Sequence, residues 1–389
     1  MKIVFLGKVL LSSLSKCWRF DRTFPKEQWG FPLGSEMVKE FVRIGHDVHV
    51  VMEYPVQDME VYKSAECVVW LVPESSSTKR QFLTLFKREV AGMRYAIERI
   101  QPDVVFAQWT YYNAYAGVTS AYPTLVVAHD SPWRVLWVFR NLRMLIRAFY
   151  AQIFVLPKVK NLTAVSPHIV SDLCLFNRYK KHIRMIPNGI SISANRPLKF
   201  VEPSVPAKTI VMVSQWGRLK NSKTMFRAFV KLRKRHQDWR LIVYGGYMDE
   251  RGAGKWLEEV CLPIDGIELR GLRPQDEIRN TLLSEADIFV SPSLEESFGM
   301  VFIEAMSVGV PCVGGRNSGA VPWVLGEGTA GVLADVHNVD SLAESIEKLM
   351  LDGLERKRLS IAGIQRVEAK FNIKHVMRQY EIALKEILK

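Results

Sequence analysis

The sequence has 389 residues, of which 48% are hydrophobic and 24% are charged, as expected of a globular protein rather than a fibrous or disordered one. This length suits two domains that each bury a core, and no stretch reaches the roughly 18 apolar residues of a membrane-spanning helix. The five scattered cysteines lack metal-site spacing and suit a reducing compartment, so we expect a cytoplasmic protein.

The net charge of +13 is concentrated in the first half of the chain. Residues 1–195 contain 25 Lys and Arg against 15 Asp and Glu, whereas residues 196–389 contain 28 against 25. A basic surplus predicts an anionic partner for the first half. Because the sequence has no zinc-finger spacing, RNP-like strand or basic zipper, we expect no nucleic-acid partner. An anionic membrane surface or a phosphorylated acceptor is favoured instead.

Hydrophobic patterns in the first half predict strands that alternate with helices. Short apolar runs predict strands at 2–6, 48–52, 104–106, 125–128 and 162–166. Helical periodicity predicts helices at 35–44, 79–100, 131–160 and 169–176. Such alternation is typical of a doubly wound parallel α/β sheet.

A second α/β pattern follows a Pro-rich stretch at 195–208, which we interpret as a linker. Strands are predicted at 210–213, 241–243, 267–269, 288–290, 310–313 and 331–333. Helices are predicted at 223–235, 278–283, 341–350 and 361–370, with a further helix after Gly299. We therefore expect one domain at 1–195 and another at 196–389. We also expect the last helix to pack back on the first domain, which the hydrophobic pattern by itself does not imply.

The stretch 291–309 places two carboxylates around the start of a predicted helix. Glu296 lies in a Ser/Pro loop after the strand at 288–290, and Glu304 lies on the helix that follows Gly299. Carboxylates accept hydrogen bonds from hydroxyl groups, and the free N–H groups of a helix start bind phosphate. The pattern predicts a ligand that combines a polyol with a phosphate. Two solvated glutamates on an amphipathic helix are the alternative.

A second loop, 214–223, carries two cations ahead of another helix. Arg218 and Lys223 follow the strand at 210–213. A forked guanidinium and a mobile ammonium suit a diphosphate, the first for geometry and the second for charge. Solvated surface cations are the alternative.

These loops, together with Pro187-Asn188-Gly189, resemble the signature of the retaining GT-B glycosyltransferases often called family 4. The resemblance extends from Gly34 to about Phe371 and implies two Rossmann-like domains facing a central cleft. The N-terminal domain would bind the acceptor and the C-terminal domain the nucleotide sugar. The implied reaction moves a sugar from a UDP- or GDP-linked donor to an acceptor hydroxyl with retention, with no cofactor and no metal. Consistently, the sequence contains no Asp-x-Asp.

The resemblance also implies a role for each matching position. Arg218 and Lys223 would neutralise the diphosphate, Glu296 would bind the transferred sugar, and Glu304 would bind the ribose. His129, after the strand at 125–128, would face the reacting centre. Phe298, Gly299 and Met300 would supply N–H groups at the helix start. Leu272 would lie beside the base, and Gly34 would allow close approach to the diphosphate.

Five positions depart from the usual family pattern. Thr224 and Ser297 stand where glycine is common, and Leu33 replaces the first of two adjacent glycines. Met300-Val301 replaces a common Leu-Pro, next to the proposed sugar contact. We expect the departures beside Glu296 to affect which sugar fits.

Aromatic and acidic side chains after two strands of the first half are candidates for acceptor binding. They are Trp109, Tyr111, Tyr112 and Asp130. Aromatic faces beside polar groups suit a sugar ring, and packing in the core explains the aromatic residues equally well.

The segment 131–160 predicts contact with a membrane. A single helix from Ser131 would place Arg140, Arg143 and Arg147 on one face, and no acidic residue occurs between Asp130 and Asp172. The opposite face would be apolar: Val138, Leu142, Leu145 and Phe149. Basic amphipathic helices with tryptophans lie in the headgroup region of anionic membranes, which predicts a peripheral protein on the inner face and a lipid-linked acceptor. Packing of the apolar face onto the sheet is the alternative.

Three other functions compete with sugar transfer. A sugar-nucleotide epimerase shares the same architecture, and a non-catalytic sugar-nucleotide-binding protein would keep the same donor residues. A dinucleotide-dependent oxidoreductase is disfavoured because no Gly-x-Gly-x-x-Gly follows the first strand.

Overall fold

The computed structural model describes residues 1–28, 30–75, 77–192 and 207–389. The chain forms two compact units, one of Met1–Ser191 with Ile373–Lys389 and one of Ile192–Asn372. The boundary expected after residue 195, and nearly all of the linker expected at 195–208, lie outside the described residues.

A mixed sheet forms the centre of the first unit. Its described strands are β1 (Lys2–Leu6), β2 (Asp47–Tyr54), β3 (Glu60–Lys63), β4 (Cys67–Pro73), β5 (Val104–Gln108), β6 (Thr124–Ala128), β7 (Asn161–Ala164) and β8 (Ile183–Met185). Their order is β3-β4-β2-β1-β5-β6-β7-β8, and only the β3–β4 pair is antiparallel among these strands. β5 and β6 are buried along their whole length, which explains the apolar runs at 104–107 and 125–128.

Helices cover this sheet. In chain order they are α1 (Leu11–Ser15), α2 (Pro32–Arg43), α3 (Thr78–Leu83), α4 (Lys87–Ile100), α5 (Tyr112–Val118), α6 (Pro132–Phe139), α7 (Leu142–Tyr150) and α8 (Pro167–Leu175). A π-helical turn, Ala151–Val155, continues α7.

The second unit contains a parallel sheet. Its described strands are β9 (Thr209–Val213), β10 (Arg240–Tyr244), β11 (Ile267–Gly271), β12 (Ile288–Ser291), β13 (Cys312–Gly315) and β14 (Val332–Ala334), in the order β11-β10-β9-β12-β13-β14. Its helices are α9 (Ser222–Arg233), α10 (Lys255–Glu259), α11 (Gln275–Ser284), α12 (Met300–Ser307), α13 (Val321–Val324), α14 (Val339–Leu351) and α15 (Gly353–Arg366). Phe226, Phe229 and Ile346 are among the fully buried side chains of its core.

The last helix, α16 (Ile373–Ile387), belongs to the first unit. The N–H group of Ile373 donates to the carbonyl of Ile190 at 2.9 Å. The ring of Tyr380 lies 5.0 Å from that of Phe106 on β5, and the apolar face of α16 is buried. The first unit is therefore completed by the end of the chain.

Two helices expected from the sequence are interrupted. The helix expected at 79–100 is divided into α3 and α4, because Leu85 and Phe86 adopt φ of +49° and +60°. The helix expected at 131–160 is divided into α6 and α7 at Arg140, whose φ is +48°. Asn141 then caps α7, since its Oδ1 accepts a hydrogen bond from the N–H of Met144 at 3.0 Å.

Of the helices in the described ranges, none combines the length and the apolar character that crossing a membrane requires.

Candidate functional site

In the second unit, two loops meet where neighbouring parallel strands end. Loop 214–221 follows β9, and loop 292–299 follows β12, which pairs with β9. The N–H group of Leu294 donates to the carbonyl of Leu219 at 2.8 Å and joins the loops. We call this edge, where the parallel strands end, the carboxyl edge. Ligands of α/β proteins bind at this edge.

Glu296 forms an ion pair that the sequence analysis did not predict. Its Oε1 lies 2.5 Å from the ammonium nitrogen of Lys220, and the carboxylate is mostly buried. Lys220 lies in the chain between the two predicted cations, Arg218 and Lys223, so the only available signal was a third positive charge there. The pair compensates the charge of Glu296 and fixes its carboxylate beside that loop.

Arg218 and Lys223 are both exposed at the same edge. Lys223 is the second residue of α9, and its ammonium lies 5.1 Å and 5.7 Å from the ring centroids of Trp256 and Trp216. In the described ranges, no ion pair involves Arg218 or Lys223, so both charges are available to an anion.

Thr224, a departure from the family pattern, has a structural role. Its hydroxyl donates to Oδ1 of Asn221 at 2.7 Å, and Nδ2 of Asn221 donates to the carbonyl of Val336 at 2.7 Å. Asn221 adopts a left-handed conformation, with φ of +52°, at the start of α9. These contacts anchor the end of the cationic loop.

The start of α12 presents free N–H groups. Gly299 has φ of +94°, a conformation that other residues rarely adopt, and it turns the chain into the helix. Within the part of the chain that the structure describes, the N–H groups of Phe298, Gly299 and Met300 donate to no protein acceptor. The side chain of Phe298 is buried against Trp323 and Phe371, so only its backbone is available to a ligand.

Glu304 lies one turn into α12, with its carboxylate partly buried. Burial raises the pKa of this carboxyl to about 7, and the hydrogen bond from Gln275 and the charge of Arg279 oppose the rise. Nε2 of Gln275 donates to Oε1 of Glu304 at 2.9 Å. Leu272, predicted to lie beside the base, is exposed after Gly271, whose φ is +65°. Gln275 was missed, because nothing in the sequence links it to a position 29 residues away.

In the first unit, His129 is held at the carboxyl edge between two aromatic rings. Its ring lies 5.2 Å from Phe31 and 4.9 Å from Trp109, and its Nε2 lies 2.6 Å from Oε1 of Gln108. Burial lowers the pKa of His129 to about 3, so the imidazole is neutral at physiological pH. With Oε1 of Gln108 as the acceptor, Nε2 carries the proton and Nδ1 is left to accept. Trp109 adopts φ of +61°.

Tyr111 and Asp130 come together with an arginine that was expected elsewhere. The hydroxyl of Tyr111 donates to Oδ1 of Asp130 at 3.0 Å, and the guanidinium of Arg147 lies 4.4 Å from the centroid of the Tyr111 ring. Burial raises the pKa of Asp130, while the charge of Arg147 and the Tyr111 hydrogen bond oppose the rise. The three side chains form a polar cluster at the ends of β5 and β6.

The basic helical face expected at Arg140, Arg143 and Arg147 does not form. Arg140 ends α6, and its Nε donates to the carbonyl of Trp137 at 3.1 Å. Arg143 is exposed on α7, whereas Arg147 contacts Tyr111. The expectation was wrong because the break at Arg140 changes the direction of the chain within the segment.

Tyr112 packs inside the first unit rather than beside Tyr111. Its hydroxyl donates to Oε1 of Glu53 at 2.5 Å, and its ring stacks on Phe86 at 4.7 Å. Lys8 lies 3.3 Å from the same carboxylate. These contacts fit core packing, the alternative to an acceptor role, and contact of the half-buried Tyr112 with an acceptor stays a prediction.

Several buried polar atoms near this edge lack partners in the described ranges. They are Oε2 of Glu53, Oε2 of Glu89, Nε2 of Gln108, Oγ1 of Thr110 and Oδ1 of Asn113. Because unsatisfied buried polar groups cost free energy, such a set suits water or a polyhydroxylated ligand.

Gly34 lies in the first turn of α2. A Cβ atom there would lie 2.7 Å from the carbonyl oxygen of Lys8. Glycine is therefore needed for α2 to approach the end of β1, and its contact with a diphosphate stays a prediction.

Among the described side chains, no group of three or more His, Cys, Asp and Glu residues is arranged to hold a metal ion.

Comparisons with known proteins cover both units. Residues 198–366 match the family Glycosyl transferases group 1, and residues 35–194 match the family Glycosyltransferase Family 4. The chain belongs to the group 1 glycosyltransferases, of the family 4 type. It is an enzyme that transfers sugars, so the donor and acceptor residues above are candidate residues of a glycosyltransferase.

Two curated relatives of this glycosyltransferase illustrate the range of the family. N-acetyl-alpha-D-glucosaminyl L-malate synthase of Bacillus anthracis is 23% identical over 380 residues, which are 92% of this chain and 93% of that protein. A GDP-mannose-dependent alpha-(1-6)-phosphatidylinositol monomannoside mannosyltransferase of Mycobacterium tuberculosis is 28% identical over 215 residues. These are 49% of this chain and 52% of that protein.

Solved structures show the fold of this glycosyltransferase. Sucrose-phosphate synthase from Thermosynechococcus elongatus matches with a TM-score of 0.77 at 17% identity, over 100% of this chain and 99% of that one. The two parallel-sheet α/β units are those of the GT-B fold, as expected from the sequence.

Proposed function

We propose that this glycosyltransferase moves a sugar from a UDP- or GDP-linked donor to a hydroxyl of a lipid-linked or cell-surface glycan acceptor. The anomeric configuration is retained, and neither a metal nor another cofactor takes part. The observation that carries the proposal is the carboxyl edge of the second unit. There, two unpaired cations, a helix start with free N–H groups and the Lys220–Glu296 pair belong to adjoining loops.

The donor diphosphate binds where positive charge is available. Arg218, Lys223 and the N–H groups at the start of α12 stabilise the negative charge that builds up as the sugar–phosphate bond breaks. Preorganised donors aimed at developing charge are usually the largest contribution to catalysis. The leaving group then needs no metal, because these groups stabilise the negative charge that a divalent cation stabilises in metal-dependent enzymes.

The two carboxylates bind hydroxyl groups rather than perform acid–base chemistry. Glu296 accepts hydrogen bonds from the transferred sugar, and Lys220 orients the carboxylate. Glu304 accepts hydrogen bonds from the ribose. This differs from glycoside hydrolysis, where two carboxylates flank the bond that breaks.

The acceptor binds at the carboxyl edge of the first unit. Tyr111, Asp130 and Trp109 offer an aromatic face and polar groups there, and the neutral imidazole of His129 contacts the sugar. The mycobacterial relative is named a phosphatidylinositol monomannoside mannosyltransferase, which supports a lipid-linked acceptor for this protein.

The same unit contacts the inner face of the membrane. Trp137, Phe139 and Leu142 are exposed beside Arg140 and Arg143, a combination that suits an anionic interface. Co-sedimentation with anionic and neutral vesicles tests this contact. Binding should need anionic lipid and weaken at high salt, and loss of these two dependences would contradict it.

Alanine substitutions test the donor site. Arg218→Ala and Lys223→Ala should each lower kcat by about 10²–10³, roughly 3–4 kcal/mol, since each removes a charge from the leaving group. Lys234→Ala, an exposed cation at the opposite end of α9, is the control and should leave kcat unchanged. If either variant keeps more than half of the wild-type kcat, the diphosphate assignment is wrong.

Product analysis with a labelled donor separates transfer from epimerisation. A glycosylated acceptor with the donor's anomeric configuration is expected, and activity should persist with EDTA. An epimerised donor without use of the acceptor would support the epimerase. Glu296→Ala should reduce transfer while nucleoside diphosphate still binds, whereas Glu304→Ala should weaken that binding.

A further inference from the structure

A groove between α6 and α7 exposes an unusually apolar surface. It encloses about 820 Å³, a volume typical of small-molecule sites. Trp137 is 60% exposed and Leu142 is 70% exposed. Contiguous apolar surface of this kind marks a binding site rather than ordinary protein exterior. The apolar residues that line the groove are Trp133, Leu136, Trp137, Leu142, Leu145 and Phe176.

On α6, the polar atoms of Trp133 and Arg134 are bonded within the protein. Nε1 of Trp133 donates to Oε1 of Gln152 at 3.1 Å. The guanidinium of Arg134 donates to both carboxylate oxygens of Asp172, at 2.8 Å and 2.7 Å, and lies 4.9 Å from the ring of Phe176. The walls are therefore fixed, and the faces turned to the groove are apolar. A preformed site loses little conformational entropy when it is filled.

One end of the groove is positively charged. Arg140 and Asn141 line this end at the break between the helices. Arg143, the second residue of α7, is exposed next to them in the chain. In the ranges that the structure describes, Arg140 and Arg143 form no ion pair. No acidic residue occurs between Asp130 and Asp172, so an anionic group is the complement of this end.

Both helices of the groove are attached to candidate acceptor residues. α6 begins two residues after Asp130, and the intervening Ser131 is buried and donates to Oδ1 of Asn177 at 3.0 Å. α7 carries Arg147, which contacts Tyr111. Both walls of the groove are thus connected to candidate acceptor residues, one through Asp130 and the other through Arg147.

We propose that the α6–α7 groove binds the hydrocarbon chain of an anionic lipid acceptor, with the anionic group at Arg140 and Arg143. The proposal rests on the proposed function, because it assumes that the acceptor is lipid-linked. It adds a binding site for the apolar part of that acceptor, separate from the residues that contact the reacting hydroxyl.

Monomeric n-alkyl phosphates of four to ten carbons are the probe, used below their micelle concentrations. Trp133 and Trp137 line the groove, so their fluorescence reports binding to the intact protein. Each buried methylene should lower the Kd about fourfold, and the tryptophan emission should shift to shorter wavelength as the groove loses water.

Two double variants separate the chain from the charge. Trp137→Ala with Leu142→Ala should reduce the dependence on chain length to less than twofold per methylene. Arg140→Gln with Arg143→Gln should weaken all chain lengths by the same factor and leave the length dependence intact. Leu351→Ala with Leu354→Ala is the matched control, since these leucines are 63% and 74% exposed on the second unit. Leu142→Ser alone changes an exposed residue at a helix start and should not impair folding. A weaker length dependence in this variant therefore reports the groove rather than a folding defect.

The proposal is overturned if Kd does not change with chain length, or if the groove variants keep the wild-type length dependence. Binding to anionic vesicles without binding to monomeric alkyl phosphates would assign the surface to the bilayer and overturn it as well. Self-association lost in the groove variants, again without alkyl phosphate binding, would assign it to a second copy of the chain. The assay uses no donor, so a failure of sugar transfer is read separately, from product analysis with a soluble acceptor.

Discussion

Burial and neighbouring groups give Glu296 and Glu304 different surroundings, although they lie eight residues apart. Glu296 has a lysine as its partner, at 2.5 Å. Glu304 accepts a hydrogen bond from the amide of Gln275, and burial raises its pKa to about 7. An ammonium compensates the charge of a carboxylate and an amide does not, so the two carboxylates have different electrostatic surroundings.

The raised pKa of Glu304 predicts pH-dependent nucleoside binding. Ribose hydroxyls donate to the ionised carboxylate, so affinity should increase as the pH rises through 7. Between pH 8 and pH 6 the affinity of uridine or guanosine should fall about tenfold, because most of the carboxyl is then protonated. Calorimetry with the nucleoside, which lacks a titrating phosphate, measures this and also the proton released on binding.

Glu304→Gln is the matched control, since the amide does not titrate in this range. Its affinity for the same nucleoside should be weak and independent of pH. An unchanged pH dependence in Glu304→Gln, or wild-type affinity that rises as the pH falls, would show that another group is responsible.

At the scale of residues, the sequence predicted positions better than partners. Arg218, Lys223, Glu296 and Glu304 are all found at the carboxyl edge of the second unit, because the strand before each loop was recognisable. Their roles stay predictions. The Lys220–Glu296 pair could not be predicted, since it joins residues 76 apart, and one sequence contains no information on which surface cation meets which carboxylate.

At the scale of elements, the buried strands were predictable and the helix breaks were not. β5 and β6 contain short apolar runs that are typical of strands buried on both faces of a parallel sheet. Arg140 adopts φ of +48° between α6 and α7, a conformation for which an arginine gives no signal in the sequence. β3 was missed because it is a short edge strand, paired only with β4 in the described ranges.

The left-handed conformation of Arg140 predicts a stabilising substitution. Arg140→Gly should raise the free energy of unfolding of the first unit by about 1 kcal/mol, because glycine adopts positive φ without strain. Arg143→Gly is the matched control inside α7, where glycine should lower the free energy by about 1 kcal/mol. Urea denaturation measures both. Equal destabilisation by the two substitutions would indicate that α6 and α7 form one continuous helix in solution.

At the scale of the whole molecule, the first unit is formed by two separate segments of the chain. The family matches end at residue 366, yet the first unit includes Ile373–Lys389. α16 contributes buried residues to the core around β5, and Ile373 is joined to Ile190 by a backbone hydrogen bond. The sequence predicted two α/β halves because each has its own alternation of strands and helices. Amphipathic periodicity alone does not tell which sheet a terminal helix covers.

Tyr380 tests this arrangement, because it is fully buried on α16 and contacts Phe106 of β5. Tyr380→Ala should lower the free energy of unfolding of the first unit by about 3–5 kcal/mol, as expected when a large buried aromatic side chain is removed. Ile382→Ala, two residues away and 54% exposed, is the matched control and should cost less than about 0.5 kcal/mol. Amide hydrogen exchange read strand by strand is the measurement. Exchange should accelerate in β1, β5 and β6 of Tyr380→Ala and stay at the wild-type rate in β9 and β12. Acceleration confined to β9 and β12, or an equal effect of Ile382→Ala, would mean that α16 does not complete the core of the first unit.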